Sequence, residues 1–181
     1  MTIANKKIII GFIIAFIVAL NVYALIAKNP ESPSGPMPPM SRDTPLSFDV
    51  DAFHRAVNPH LSSPIDLQKS PITIMTFWAT WCPSCKKENI LFNTVYDTYK
   101  DTVQIIGISV DSQKSDLDDY LNKTPLVFPV VHITPDIASL FEDIIAVPTH
   151  FIYIKSANTL QKYVGMIDQN TLRAIQNGGD W

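Results

Sequence analysis

The sequence predicts an α/β domain, a central mixed β-sheet flanked by helices, carried behind an N-terminal transmembrane helix. Three observations support that expectation. An apolar, β-prone run at residues 72–77 passes through Cys82-Pro83-Ser84-Cys85 into a helix-compatible pattern ending near Tyr99. A second apolar run at residues 103–110 follows that helix, and a helix between two buried strands implies a parallel crossover. Residues 8–27 form an almost unbroken apolar stretch, interrupted mildly by Gly11, Asn21 and Tyr23.

The N-terminal stretch comes first in the chain. At about 1.5 Å per residue, some twenty residues span the roughly 30 Å hydrocarbon core of a bilayer. A cleaved signal peptide has a shorter apolar region, about 7–15 residues, and ends in small residues at the cleavage site. Here Leu25 stands where a small residue is wanted. A retained anchor is therefore expected at residues 8–27. Lys6 and Lys7 precede it and only Lys28 follows closely, which places residues 1–7 in the cytoplasm and the rest outside. The expected location is the cytoplasmic (inner) membrane, crossed once. Residues 28–45 read as a proline-rich linker, extended in polyproline II and able to reach about 50 Å at ~3.1 Å per residue.

The domain is expected at residues 46–181. The 181-residue chain carries a net charge of -3, so neither length nor charge points to more than one domain or to nucleic acid. Residues 46–57 suit either a short strand or a helix reaching Val57, and Pro59, Pro64 and Pro71 punctuate the segment between Val57 and Ile72. His54 and His60 are expected at the surface, since no partner lies at useful spacing. After the strand at 72–77, the helix and the strand at 103–110, a helix is expected at 112–122. Leu117, Tyr120 and Leu121 fall at helical spacing there, with Asp111 or Ser112 as its cap. A strand at 128–133, a short helix at 135–141, strands at 148–154 and 159–166, and a helix from Asp168 to Gln176 complete the order.

The chemistry concentrates in the two cysteines, the only ones in the chain. A Cys-x-x-Cys at a strand-to-helix turn suits a dithiol that cycles to a disulfide. The first thiol would sit at the helix N-terminus, where unpaired N–H groups and the dipole favour a thiolate, and the second one turn inside. Pro83 fits the first helical turn without losing a hydrogen bond. Haem attachment needs a His after the second Cys, and Lys86 stands there. A structural zinc site needs four ligands, whereas His54, His60, His132 and His150 are scattered. A structural disulfide closing so short a loop would constrain little chain. Cys82 is thus the expected nucleophile and Cys85 the resolving thiol. No metal or separate cofactor is expected beyond the cysteine pair.

The run Phe77-Trp78-Ala79-Thr80-Trp81-Cys82-x-x-Cys85, then Lys86-Lys87-Glu88, and later Val147-Pro148-Thr149, resembles the thioredoxin superfamily. Within it the chain is most similar to the TlpA/ResA group, over roughly residues 72–176. These are membrane-tethered extracytoplasmic thiol–disulfide oxidoreductases, several of which reduce apocytochrome c. The resemblance implies a thioredoxin-like fold, a cis bond before Pro148, and Val147 backbone groups open to an extended substrate. It implies as partners a protein disulfide substrate and a membrane dithiol electron donor, with a disulfide oxidase or isomerase as the alternative. Trp78 and Trp81 are expected to pack around the active-site turn, with a substrate-facing surface as the alternative for Trp81, while Pro83 and Ser84 help set the pair's potential.

Glu88 lies one helical turn beyond Cys85. It is either a proton-exchanging acid tuning that thiol, as the resemblance implies, or a solvated surface residue. Thioredoxin carries a buried Asp where Thr76 stands, a departure that raises the weight on Glu88. His150, on an otherwise apolar strand near Thr76, reads as a hydrogen-bonded core histidine or a substitute proton carrier. Two rivals share the fold. A copper carrier spaces its cysteines by three residues and would need His132 or His150 as third ligand. A thiol peroxidase needs Thr three residues before its reactive Cys, where Ala79 stands.

Overall fold

The structure, a computed structural model, describes residues 46–99, 101–141 and 144–178. The expected anchor and linker lie outside those residues. Among the described residues no helix is long and apolar enough to cross a membrane.

The chain runs β1 (Leu46–Ser47), α1 (Val50–Val57), β2 (Ile72–Trp78), α2 (Pro83–Tyr99), β3 (Val103–Ser109) and α3 (Lys114–Lys123). It continues through β4 (Val130–His132), α4 (Pro135–Ala138), β5 (Thr149–Ile154), β6 (Thr159–Val164) and α5 (Gln169–Gln176). The strands form one sheet in the order β1-β6-β5-β2-β3-β4. The crossover through α2 makes β3 parallel to β2, and β4 is parallel to β3, while β5 is antiparallel to β2. β6 is antiparallel to β5 and β1 to β6, so the sheet is mixed.

All seven residues of β2 are buried, as suits a largely apolar strand covered on both faces, with Thr73 and Thr76 its only polar side chains. The two-residue period of the strand divides them between two cores. Met75 and Phe77 join Phe53 and Val57 of α1, Ile137 of α4, and Phe151 and Tyr153 of β5. Ile72 and Ile74 join Phe92 and Val95 of α2, Ile152 of β5, and Leu172 and Ile175 of α5. By that alternation Thr76, Trp78 and His150 also face the α2 side. Gly107 of β3 keeps this side flat under Trp78: a Cβ there would lie 3.1 Å from Trp78 Nε1 and 3.2 Å from Phe128 Cε2.

The N-terminal ambiguity resolves into both elements, a short strand and then a helix whose cap, Asp49, accepts from the Ala52 N–H at 2.8 Å. Two expectations need correction. α3 begins at Lys114 after Gln113, which makes no side-chain capping bond. Asp111 is not a cap because its carboxylate is committed to Thr80 in the loop after β2. His54 is not a free surface group: its Nε2 accepts the Leu67 N–H at 3.0 Å. It thereby fastens the segment between α1 and β2 onto the helix. His60 is exposed, as expected.

Candidate active site

The site forms where β2 ends and α2 begins. The Cys82 N–H donates to Ala79 O at 3.1 Å, turning the chain, and Cys82 O accepts from Lys86 N to open the helix. Pro83 is the first helical residue, where its missing N–H costs nothing. Cys82 and Cys85 are joined in a disulfide with Cα atoms 5.3 Å apart. Cys82 Sγ accepts the Cys85 N–H at 3.2 Å and lies 3.2 Å from Ser84 Oγ, which donates to it in the disulfide state. This is the position of an N-cap acceptor, where the helix's unpaired donors and dipole stabilise negative charge on that sulfur. Cys82 is 4 % exposed and Cys85 fully buried, so an incoming group has access to the first sulfur.

The Val147–Pro148 peptide bond is cis. Val147 O lies 3.8 Å from Cys82 Sγ, so this segment faces the dithiol. It is held from both sides: Thr149 Oγ1 donates to Ala146 O at 2.7 Å, and Gly165 N donates to Pro148 O at 2.9 Å. Trp81 is 65 % exposed and Trp78 wholly buried, so the two tryptophans separate into a surface and a core residue. Trp78 stacks edge-on against Tyr120 at 5.4 Å. Burial pushes the Tyr120 phenol above its ordinary value.

Glu88 is a core residue, 1 % exposed. Its Oε1 accepts the Ile167 N–H at 2.6 Å and lies 3.2 Å from His150 Nε2. His150 Nε2 is also 2.9 Å from Gly165 O. His150 pairs with Thr76 across β2 and β5, so the expected proximity of Thr76 and His150 holds. Glu88 Oε2, His150 Nδ1 and Thr76 Oγ1 are buried without a hydrogen-bond partner.

Asp111 is the site residue that sequence reasoning missed. It is 2 % exposed, and its carboxylate accepts from Thr80 N at 3.0 Å, Thr80 Oγ1 at 2.7 Å and Ser109 Oγ at 2.7 Å. It clips the loop that carries Trp81 and Cys82 to the end of β3. The available signal was the parallel pairing itself. Trp78 and Ser109 are register partners, so Thr80 and Asp111 leave adjacent strand ends together. The backbone carbonyl of Asp111 lies 2.7 Å from His132 Nε2. Among the described residues no group of three or more His, Cys, Asp or Glu side chains is arranged to hold a metal ion.

Fold and site together define a thioredoxin-fold protein with a redox-type Cys-x-x-Cys pair at the N-terminus of a helix. Residues 61–158, more than half of the chain, match the AhpC/TSA family, and the chain belongs to it. It is 28% identical over 109 residues to sporulation thiol-disulfide oxidoreductase A of Bacillus subtilis (strain 168), covering 58% of this chain and 66% of that protein. It is 37% identical over 60 residues to thiol-disulfide oxidoreductase ResA of Oceanobacillus iheyensis, covering 33% of this chain and 31% of that one. The matches thus span less than two thirds of these relatives' length. Among solved structures, a thiol:disulfide interchange protein of the thioredoxin family from Chlorobium tepidum TLS superposes with a TM-score of 0.58 at 25% identity, covering 77% of this chain and 97% of that one. StoA from Bacillus subtilis superposes with a TM-score of 0.54 at 24% identity, covering 62% and 88%, and speaks for the fold.

Proposed function

We propose that the chain is a membrane-anchored, extracytoplasmic thiol–disulfide oxidoreductase that reduces protein disulfides. The observation that carries the reading is the disulfide at the helix N-terminus, with Cys82 Sγ capped by the Cys85 N–H and facing Val147 O. In the reduced state Cys82 attacks a substrate disulfide, and Cys85 resolves the mixed disulfide and frees the substrate thiol. Val147 and Pro148 present backbone to an extended substrate segment, in the manner of strand addition. Exposed Trp81 supplies an apolar contact, and Pro83 starts the helix that activates Cys82. Glu88, one turn beyond Cys85, exchanges a proton with that thiol.

In this reading residues 8–27 anchor the chain in the inner membrane, residues 28–45 space the domain from it, and residues 46–181 do the chemistry outside. Electrons come from a membrane dithiol donor, and the disulfide of apocytochrome c, reduced to its two thiols, is the substrate class that the ResA resemblance favours. The geometry speaks against the copper-carrier alternative: among the described residues neither His132 nor His150 joins the two cysteines in a group arranged to hold a metal ion.

The test is a trap. Cys85→Ser in the full chain should accumulate mixed disulfides on Cys82, which mass spectrometry identifies, while Cys82→Ser accumulates none. Insulin-disulfide reduction by the unaltered chain with a dithiol donor measures the direction. Trapping through Cys85 instead would reverse the assignment. A chain that oxidises dithiols but reduces no disulfide would make it an oxidase.

A further inference from the structure

The fate of the proton lost by Cys85 depends on how Glu88 is held. His150 Nε2 faces two oxygens, Gly165 O at 2.9 Å and Glu88 Oε1 at 3.2 Å. The Gly165 carbonyl can only accept, so Nε2 carries the hydrogen and donates it to both. That fixes one tautomer, with Nδ1 unprotonated in the neutral ring. Glu88 Oε1 then receives two donors, the Ile167 N–H and the imidazole N–H, while Oε2 receives none. A carboxylate buried in an apolar layer is disfavoured in its charged form, and donors aimed at it restore that form.

We propose that His150 is a positioning residue for thiol–disulfide exchange. By donating Nε2–H to Oε1 it fixes the orientation of the Glu88 carboxylate inside the core and leaves Oε2 as the open lobe that takes the proton of Cys85. The inference rests on the oxidoreductase reading and adds a second residue to its proton path. On resolution the Cys85 S–H bond breaks and its proton passes to Oε2. The Cys85 sulfur displaces the substrate sulfur from Cys82, closing the Cys82–Cys85 bond, and the substrate leaves as a thiolate. When a dithiol donor reduces the disulfide again, two electrons enter, Cys85 leaves as a thiolate, and Oε2 returns the proton. The titratable groups facing the imidazole are Glu88 on α2 and Tyr163 on β6, whose ring lies 5.9 Å away. β2 contributes uncharged Thr76 in register, α2 also Phe92 at 6.4 Å, and α5 only Leu172 and Ile175 to this layer. Glu88, with Oε1 3.2 Å from Nε2, is the group through which His150 acts.

Stopped-flow reaction of the reduced full chain in detergent with a nitrobenzoate disulfide separates the two steps. The first nitrobenzoate thiolate reports attack by Cys82 and the second reports resolution by Cys85. His150→Leu should slow the second phase about tenfold or more at pH 7, within the range of general acid–base effects. It should also change that phase's pH profile, because the donor to Glu88 Oε1 is gone. His150→Gln supplies an N–H in place of Nε2 and should restore most of the rate and the profile. In a Glu88→Gln background, His150→Leu should change neither. The role is refuted if Leu and Gln variants share the unaltered pH profile, or if His150→Leu acts equally with and without Glu88. Nitrogen NMR of the unaltered chain tests the same point without a variant: a hydrogen on Nδ1 rather than Nε2 would overturn the assignment. Loss of the first phase in the unaltered chain would instead refute the oxidoreductase reading.

Discussion

Replacing Asp111 by alanine should cost more stability than any change at a surface carboxylate, because its three donors have no other acceptor in place. Ser109 is fully buried, so its O–H loses its acceptor inside the core at about 1–3 kcal/mol, although its oxygen keeps the backbone N–H of residue 111. Thr80 is half-buried, and water can replace the carboxylate for its N–H and hydroxyl, leaving a net loss of about 0.5–1 kcal/mol for each. The sum is about 3 kcal/mol, reduced somewhat because a buried charge is also removed. Asp111→Asn keeps an oxygen for Thr80 and turns an amide toward Ser109 Oγ, which can accept, so about 1–2 kcal/mol is expected. Urea unfolding of the oxidised chain, followed by tryptophan fluorescence, gives both values. Alkylation of Cys82 in the reduced chain should become faster in the alanine variant, since the loop from Thr80 to Cys82 loses its clip. An alanine variant within about 0.5 kcal/mol of the unaltered chain, the range of ordinary surface changes, would refute the argument.

Gly107→Ala should destabilise by about 1–3 kcal/mol through crowding against Trp78 and Phe128, again by urea unfolding. A gain in stability would show that the sheet yields there. Asp168→Ala should cost about 1 kcal/mol at pH 7 by uncapping α5. Hydrogen bonds from Thr171 hold the Asp168 carboxyl below its ordinary value of 3.8. Its charge-dependent contribution is therefore complete above that value and lost as pH falls through the lower, folded one. The difference between the two chains should shrink on acidification, as thermal melts across that range would show. In the reduced chain, limiting alkylating reagent should label Cys82 before Cys85.

The elements around the dithiol were legible because local signals agreed. An apolar run, two cysteines one turn apart and a proline suited to a first helical turn all named the same strand-to-helix junction. Pro148 was legible through its neighbours Val147 and Thr149. The interior partners were not. Glu88 follows two lysines on a helix, and nothing nearby distinguishes a buried carboxylate from a solvated one. Its partners, Ile167 N and His150, lie 79 and 62 residues away and meet it only after the sheet forms. Asp111 failed for a different reason. An aspartate shortly before a helical pattern is a good local cap, and a tertiary demand from Thr80 outcompeted that local use.

The turn between β6 and α5 reads as an ordinary surface connection, with Met166 42 % exposed and Gly165 at φ +113°. Yet its backbone is tied inward at three points: Gly165 N to Pro148 O, Gly165 O to His150, and Ile167 N to Glu88. Exposed turns are where chains usually accept inserted tags, labels or new termini. This one should not, because lengthening it withdraws hydrogen-bond partners from both the cis-proline segment and the buried acid. The turn at residues 155–158, between β5 and β6, has exposed side chains and a left-handed Asn158, and is the better place to attach a reporter.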